Sequence, residues 1–287
     1  MKVQKLTLRQ DAYPSQLKQL SSPPKELYYL GADPSEWLSR PRVAMVGSRS
    51  VTPYGRQVTE RFARELAEHG VVIISGLALG VDAIAHTACL DAGGTAVAVL
   101  ANGLDHIAPA TNAQLGRRLL EQGGTILSEY PAGAPVFKTQ FIARNRIVAG
   151  LAQALLITEA SEKSGTLHTA RFAMEQGRDV LAVPGNIFSP TSVGTNNLIR
   201  AGATPVTSVA DILYTLGASH LPAEPVRRRG DTAEEQAILD LLYGGTSDGH
   251  ELLVQSTLPA VQFNQVLTML ELSGKVRPLG NNHWSLK

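Results

Sequence analysis

The chain reads as an α/β protein: a Rossmann-like, doubly wound, mostly parallel sheet followed by a small winged-helix domain. Three observations predict this. Short Val/Ile-rich runs alternate with longer segments of helical spacing from Arg42 onward. The runs are apolar throughout, as in strands buried on both faces of a parallel sheet. The last 56 residues show three helical patterns and then a hairpin pattern, the winged-helix order.

The strand candidates are Val43–Val46, Val71–Ser75, Thr95–Leu100, Thr125–Ser128, Ala154–Thr158 and Val180–Val183. Each is too short to stand as a helix. Between them lie helical patterns at Tyr54–His69, Val81–Ala92, Asn112–Gln122, Asn145–Leu151 and Thr166–Gln176. Gly70, Gly93, Gly123 and Gly177 follow four of these, where the left-handed conformation stops a helix. Asn197–Gly202, Pro205–Thr207 and Val209–Leu216 form a last unit. Residues 1–41 carry Pro23-Pro24 and the turn Gly31-Ala32-Asp33-Pro34, so this lead-in is expected to be largely irregular, with room for one helix. The expected domains are therefore 1–41, an extension; 42–217, the Rossmann-like domain; 218–231, a linker with the triplet Arg227–Arg229; and 232–287, the winged helix. In the last, helices are expected at Ala233–Leu242, His250–Ser256 and Val261–Leu272, and strands at Lys275–Leu279 and His283–Leu286.

Composition narrows the function. A formal net charge of +1 gives no overall pull on nucleic acid, so any such surface must be a local cluster. A single cysteine, Cys89, excludes an intramolecular disulfide and a Cys-rich metal site. The start has no apolar core behind its positive charge, and no run of about 20 apolar residues spans a membrane. A cytoplasmic protein without membrane insertion is expected.

Candidate site residues gather where strands end, the usual place for ligands in open α/β sheets. The first run ends in Gly47-Ser48-Arg49-Ser50, with hydroxyls beside a helix start and a forked cation suited to phosphate. The absence of G-x-G-x-x-G there disfavours a dinucleotide, and no cofactor is expected. The second run ends in Ser75-Gly76-Leu77-Ala78-Leu79-Gly80-Val81-Asp82, followed by His86. A lone histidine on an apolar helix reads as a packed residue, and Asp82 as a helix cap or, second to that, a partner of the Gly47 loop. Lys138, Phe141, Arg144, Asn145 and Arg146 form the densest cluster: cations to follow a phosphate backbone and an aromatic face to stack on a base. One of its arginines is open to pairing with Glu129 or Glu159 instead. Ser164-Gly165-Thr166 opens a helix whose free N–H groups suit an anion. The third winged-helix helix has no Arg or Lys between Pro259 and Ser273, which favours a protein contact over groove reading.

Taken together, VGSRSVTPYG (46–55), SGLALGVDAIAH (75–86), NGLD (102–105), LSEYPAG (127–133), RNRIVAGLA (144–152), EASEKSGTLHTA (159–170), GRDVLAVPG (177–185) and GTNNLI (194–199) resemble the DNA-processing protein A family (DprA, also called Smf). The resemblance covers residues 42–215. It implies a non-enzymatic protein that binds single-stranded DNA, forms a homodimer through the Rossmann-like domain and helps load the recombinase RecA in natural transformation. It places the phosphate pocket on Arg49, Lys138, Phe141, Arg144, Arg146, Ser164 and Gly165. Two departures stand out: Ile142 follows Phe141 where the family commonly has Pro, and Ala108-Pro109 replaces its Tyr-Pro. The helical domain that members often carry at the N-terminus has little room in residues 1–41. The enzymatic alternative is a nucleotide-monophosphate phosphoribohydrolase, whose Gly-Gly-x-Gly-Thr-x-x-Glu helix start resembles 163–169. The glutamate position there is Thr169, so the carboxylate is missing.

Overall fold

A computed structural model describes residues 2–222 and 230–286. The Arg227–Arg229 triplet of the expected linker lies outside the described residues. The chain divides into two compact units, Met1–Glu224 and Pro225–Lys287.

In the first unit the elements run β1 (Gln4–Thr7), α1 (Ser15–Lys18), β2 (Glu26–Gly31), α2 (Ser35–Leu38), β3 (Arg42–Val46), α3 (Pro53–Glu68), β4 (Val72–Ser75), α4 (Val81–Asp91), β5 (Ala96–Leu100), α5 (Ala113–Glu121), β6 (Thr125–Ser128), α6 (Lys138–Leu151), β7 (Ala154–Ile157), α7 (Thr166–Glu175), β8 (Asp179–Ala182), α8 (Val193–Arg200), β9 (Thr204–Pro205) and α9 (Val209–Thr215). One sheet holds all nine strands in the order β1-β2-β6-β5-β4-β3-β7-β8-β9. From β6 to β9 every pairing is parallel. The doubly wound, mostly parallel sheet expected from the sequence is therefore present. From β3 the chain winds toward β4 on one side, and from β7 toward β8 on the other. The topological switch point lies between β3 and β7, whose carboxyl ends carry the Gly47 turn and the Glu159–Gly165 loop.

Strand residues alternate between the two faces. Ala44, Val46, Val72, Ile74, Val97, Val99, Leu155 and Ile157 share one cluster with Ile147, Val148 and Leu151 of α6 and Ala170 and Ala173 of α7. Val43, Met45 and Ile73 are equally buried but point to the opposite face, as does the apolar stripe Phe62, Ala63 and Leu66 of α3. Thr52 caps α3 by accepting from Gly55 N–H at 3.1 Å, and Pro53 fits its first position. Gly70, Gly93, Gly123 and Gly177 all have φ between 64° and 79°, as their places after helices demand.

Two expectations need correction. The lead-in is not irregular: β1 and β2 extend the sheet antiparallel from β6. Tyr13, Leu17, Leu20 and Trp37 are buried in the same cluster as the sheet, and Trp37 Nε1 donates to Thr125 Oγ1 at 3.0 Å. Pro24 sits just outside β2, so it removes no ladder hydrogen bond. Second, α6 starts at Lys138 rather than near Asn145. Gln140 Oε1 accepts from Phe137 N–H at 2.8 Å and closes the first turn, which an exposed, uncharacteristic segment conceals in the sequence.

The second unit has α10 (Ala233–Tyr243), α11 (Gly249–Ser256), α12 (Ala260–Leu272), β10 (Val276–Gly280) and β11 (His283–Leu286). Its core is Ile238, Leu239, Leu242, Leu252, Phe263, Leu267, Leu270 and Val276. Asn281 and Asn282, both with positive φ, make the hairpin turn. Three helices and a hairpin give the expected winged helix.

Candidate nucleic-acid interface

At the switch point the loops brace one another. Ser48 N–H donates to Glu159 O at 2.8 Å, and Thr166 Oγ1 donates to Gly47 O at 2.9 Å. Glu159 is buried, with Oε2 accepting from Thr52 N–H at 3.0 Å and Thr52 Oγ1 at 3.2 Å. Gly55 stands against it: a Cβ there would lie 1.9 Å from Glu159 Oε2. The β3 turn, the α3 start and the α7 start are thus one braced frame.

The site residues fall into three groups on this frame. Arg49, Lys138, Phe141 and Gly165 are exposed. Among the described residues neither the Arg49 nor the Lys138 side chain has a hydrogen bond or ion pair. Phe141 is 37% exposed. Lys138, Phe141 and Asn145 lie at helical spacings of three and four on α6 and share one face. Beside Gly165 a Cβ would meet only open space, so the α7 start is open to a ligand.

Ser48, Ser164 and Thr166 form the second group and are braces more than free donors. Ser48 Oγ donates to Ser50 O at 2.7 Å and accepts from Ser50 N–H at 3.1 Å. Ser164 Oγ accepts from Thr166 N–H at 3.2 Å and donates to Thr166 Oγ1 at 3.0 Å. Asn145 is half-buried; its Oδ1 accepts from Arg144 Nε at 3.2 Å.

The third group departs from expectation. Arg144 is only 4% exposed, and its Nη1 donates to Gly76 O at 2.7 Å and to Val99 O. Burial pushes its pKa down; the Asp82 charge supports it and the Arg49 charge opposes it. Arg146 makes a two-pronged pair with Glu129, at 2.7 and 2.6 Å, and donates to Ser22 O at 2.9 Å. Both arginines, not one, are therefore turned to internal partners. The cause is the early start of α6, whose period carries positions 144 and 146 off the exposed face.

Asp82 neither caps α4 nor reaches the Gly47 loop. Its Oδ2 accepts from Gly76 N–H at 3.0 Å and Ala78 N–H at 3.4 Å, holding the loop after β4. Burial raises its pKa, against the pull of Arg144 and those amides. In that loop buried Leu77 has φ of 55°, a backbone state costly for a branched side chain, and Asn112 Nδ2 holds its carbonyl at 2.8 Å. His86 is fully buried, as expected of a packed residue. Lys163, exposed just before α7, is the cation the motif reading passes over. Its position ahead of a helix start is the signal that marks it.

Residues 4–217 match the family model described as DNA recombination-mediator protein A, and residues 222–282 match the DprA winged helix domain. The chain belongs to the DNA-processing protein A family. Protein Smf of Escherichia coli is 44% identical over 215 residues, 74% of this chain and 57% of that protein. DNA processing protein DprA of Streptococcus pneumoniae is 42% identical, over 71% of both chains. The chain spans 57% and 55% of the length of the Escherichia coli and Synechocystis relatives it matches. Among solved structures, the X-ray structure of DprA from Streptococcus pneumoniae superposes with a TM-score of 0.69 at 40% identity, covering 75% of this chain and 74% of that one. DNA processing protein A from Helicobacter pylori, described for its single-stranded DNA binding mode, gives 0.66 at 36% identity, covering 74% and 95%. Membership in the DprA family rests on both units, and the Arg49 turn, α6 and the α7 start all lie inside the first match. Among the described residues no helix is long and apolar enough to cross a membrane.

Proposed function

We propose that the chain binds single-stranded DNA across the carboxyl edge of its sheet and acts as a recombination mediator, not as an enzyme. The observation that carries this is Arg49: an exposed arginine at the switch point with no partner among the described residues, while its arginine neighbours Arg144 and Arg146 are committed internally. Lys138 and Lys163 add exposed charge, the open space at Gly165 leaves a phosphate room at the α7 start, and Phe141 offers a stacking face. Phosphate contacts of this kind bind without regard to sequence. The likeness to a DprA structure described for its single-stranded DNA binding mode supports the same ligand.

RecA loading on incoming DNA, a homodimer and a cytoplasmic setting complete the proposal. Exposed Tyr214 on α9 gives a second copy an apolar contact, and Ile187 and Phe188 before α8 are exposed apolar residues as well. Of the large apolar residues in 197–216, Val206, Ile212, Leu213 and Leu216 are buried, while Leu198, Ile199 and Val209 are half-buried. The winged helix enters as a protein-contact module. Residues 230–286 carry seven acidic against two basic residues, and α12 exposes Val261, Met269 and Leu272 rather than cations. The hydrolase alternative is weakened by Thr169, which is buried on α7 where that chemistry needs a carboxylate.

Fluorescence anisotropy with labelled single-stranded and double-stranded oligonucleotides over a salt series tests the reading. Arg49→Ala is expected to weaken single-strand binding about 10-fold or more for all sequences alike and to lower the salt slope by about one. No binding by the unaltered chain at low salt, or an unchanged Arg49→Ala, would overturn it.

A further inference from the structure

We propose that Arg144 is a positioning residue: its buried guanidinium fixes the loop from Gly76 to Gly80, that loop fixes the backbone of Arg49, and Arg144 itself touches no phosphate. This rests on the single-strand reading above and assigns a different role to one arginine of that site.

The contacts form a continuous path. Arg144 sits on α6 one turn after Phe141 and reaches under the sheet edge, where Nη1 donates to Gly76 O at 2.7 Å and to Val99 O. Gly76 leaves no clearance; a Cβ there would lie 2.5 Å from Arg144 Nη2. Gly76 N–H and Ala78 N–H are held from the other side by Asp82 Oδ2. The loop is therefore clamped between a buried cation and a buried carboxylate. Its far end, Gly80, has φ of 79° and presses on the Arg49 turn: a Cβ there would stand 2.2 Å from Ser48 O and 2.7 Å from Arg49 Cα. Val81 N–H donates to Ser48 O at 3.1 Å and locks the same contact. The path joins the two halves of the site, the exposed α6 face and the Arg49 turn, through tightly packed backbone. A guanidinium suits this work because its planar fork meets two carbonyls and Asn145 Oδ1 together, whereas an ammonium is a point donor. At 4% exposure the group has no surface to offer a strand.

A double-mutant cycle on the full chain separates positioning from contact. Arg144→Lys keeps the charge beside Asp82 and removes the fork. In the unaltered background it is expected to weaken single-strand binding about 10-fold. In the Arg49→Ala background it is expected to change binding less than 2-fold, with the salt slope of the double variant equal to that of Arg49→Ala. Additive losses with a further drop of about one in the slope would show a phosphate contact at Arg144 and overturn the proposal. If Arg144→Lys does not fold, Gly80→Ala disturbs the same path at its other end without touching Arg144. It is expected to weaken binding only while Arg49 is present, and equal losses with and without Arg49 would overturn the proposal. Failure of the unaltered chain to bind, or indifference of binding to Arg49→Ala, sinks the single-strand reading itself and this role with it. Binding through Arg49 with additive losses at Arg144 sinks the positioning role alone.

Discussion

Arg146 offers a direct contest between fold and ligand, since the family resemblance puts it in a phosphate pocket and the structure pairs it with Glu129. The two side chains are 13% and 14% exposed and meet through two hydrogen bonds of 2.7 and 2.6 Å. Arg146 also reaches Ser22 O at 2.9 Å, tying α6 to the segment before β2. Arg146→Ala leaves the Glu129 carboxylate largely out of water without its cation. Breaking a fully buried pair costs about 3–5 kcal/mol; slight exposure here brings the expectation to about 3 kcal/mol. At roughly 2–4 °C per kcal/mol for a unit of this size, the melting transition of the first unit should fall by about 6–12 °C. Glu129→Ala should cost less, because the freed guanidinium keeps its carbonyl partners, and the double variant should recover at least about 1 kcal/mol over the sum of the singles. Urea unfolding followed by circular dichroism reads the stabilities, and anisotropy over a salt series reads the ligand. Stability within about 0.5 kcal/mol of the unaltered chain, together with a salt slope lower by about one, would refute the structural assignment and return Arg146 to the DNA.

The other expectations are simpler to check. His86 is fully buried with neither ring nitrogen at hydrogen-bonding geometry, and burial holds its pKa down to about 4 against a weaker pull from the Val97 backbone. The unfolded chain therefore binds the extra proton first, so stability should be full above about pH 6.5 and fall by about 3 kcal/mol as pH drops toward 4. Melting temperatures from pH 4 to 7 should lose that component of the slope in His86→Leu, and parallel curves would count against it. Light scattering should give the mass of two chains, and Tyr214→Glu, at a site 81% exposed and thus harmless to the fold, should shift it toward one. An unaltered chain that runs as a monomer ends the dimer proposal.

Much of the fold was legible because its signals are local. Apolar runs such as Val43–Val46 and glycines such as Gly70 announce strands and helix ends by composition alone. The lead-in was not, since its prolines stand beside β2 rather than in it, and its four short elements hold shape only by burying Tyr13, Leu17 and Trp37 against the distant sheet. The same limit applied to Asp82. Its neighbours in sequence suggest a helix cap, while its actual partners, Gly76 N–H and Ala78 N–H, belong to a loop whose path is set by packing.

The arginines of 144–146 show how one helix boundary decides a site. With α6 beginning near Asn145, Lys138, Arg144 and Arg146 would sit on or beside a loop, equally free to meet phosphate. With α6 beginning at Lys138, each residue advances about 100° around the axis. Lys138 and Phe141 then lie on the solvent face with Asn145 half-buried beside them, Arg144 turns into the sheet edge, and Arg146 turns toward Glu129. Three cations in nine residues thus become one exposed and two bonded to the scaffold. The exposed charge proposed to meet the strand is then spread over separate elements: Arg49 after β3, Lys138 on α6 and Lys163 before α7. A surface assembled from three elements holds its geometry only while the loops between them are fixed. On the proposed single-strand reading, that requirement gives the buried arginines a role that needs no contact with the ligand.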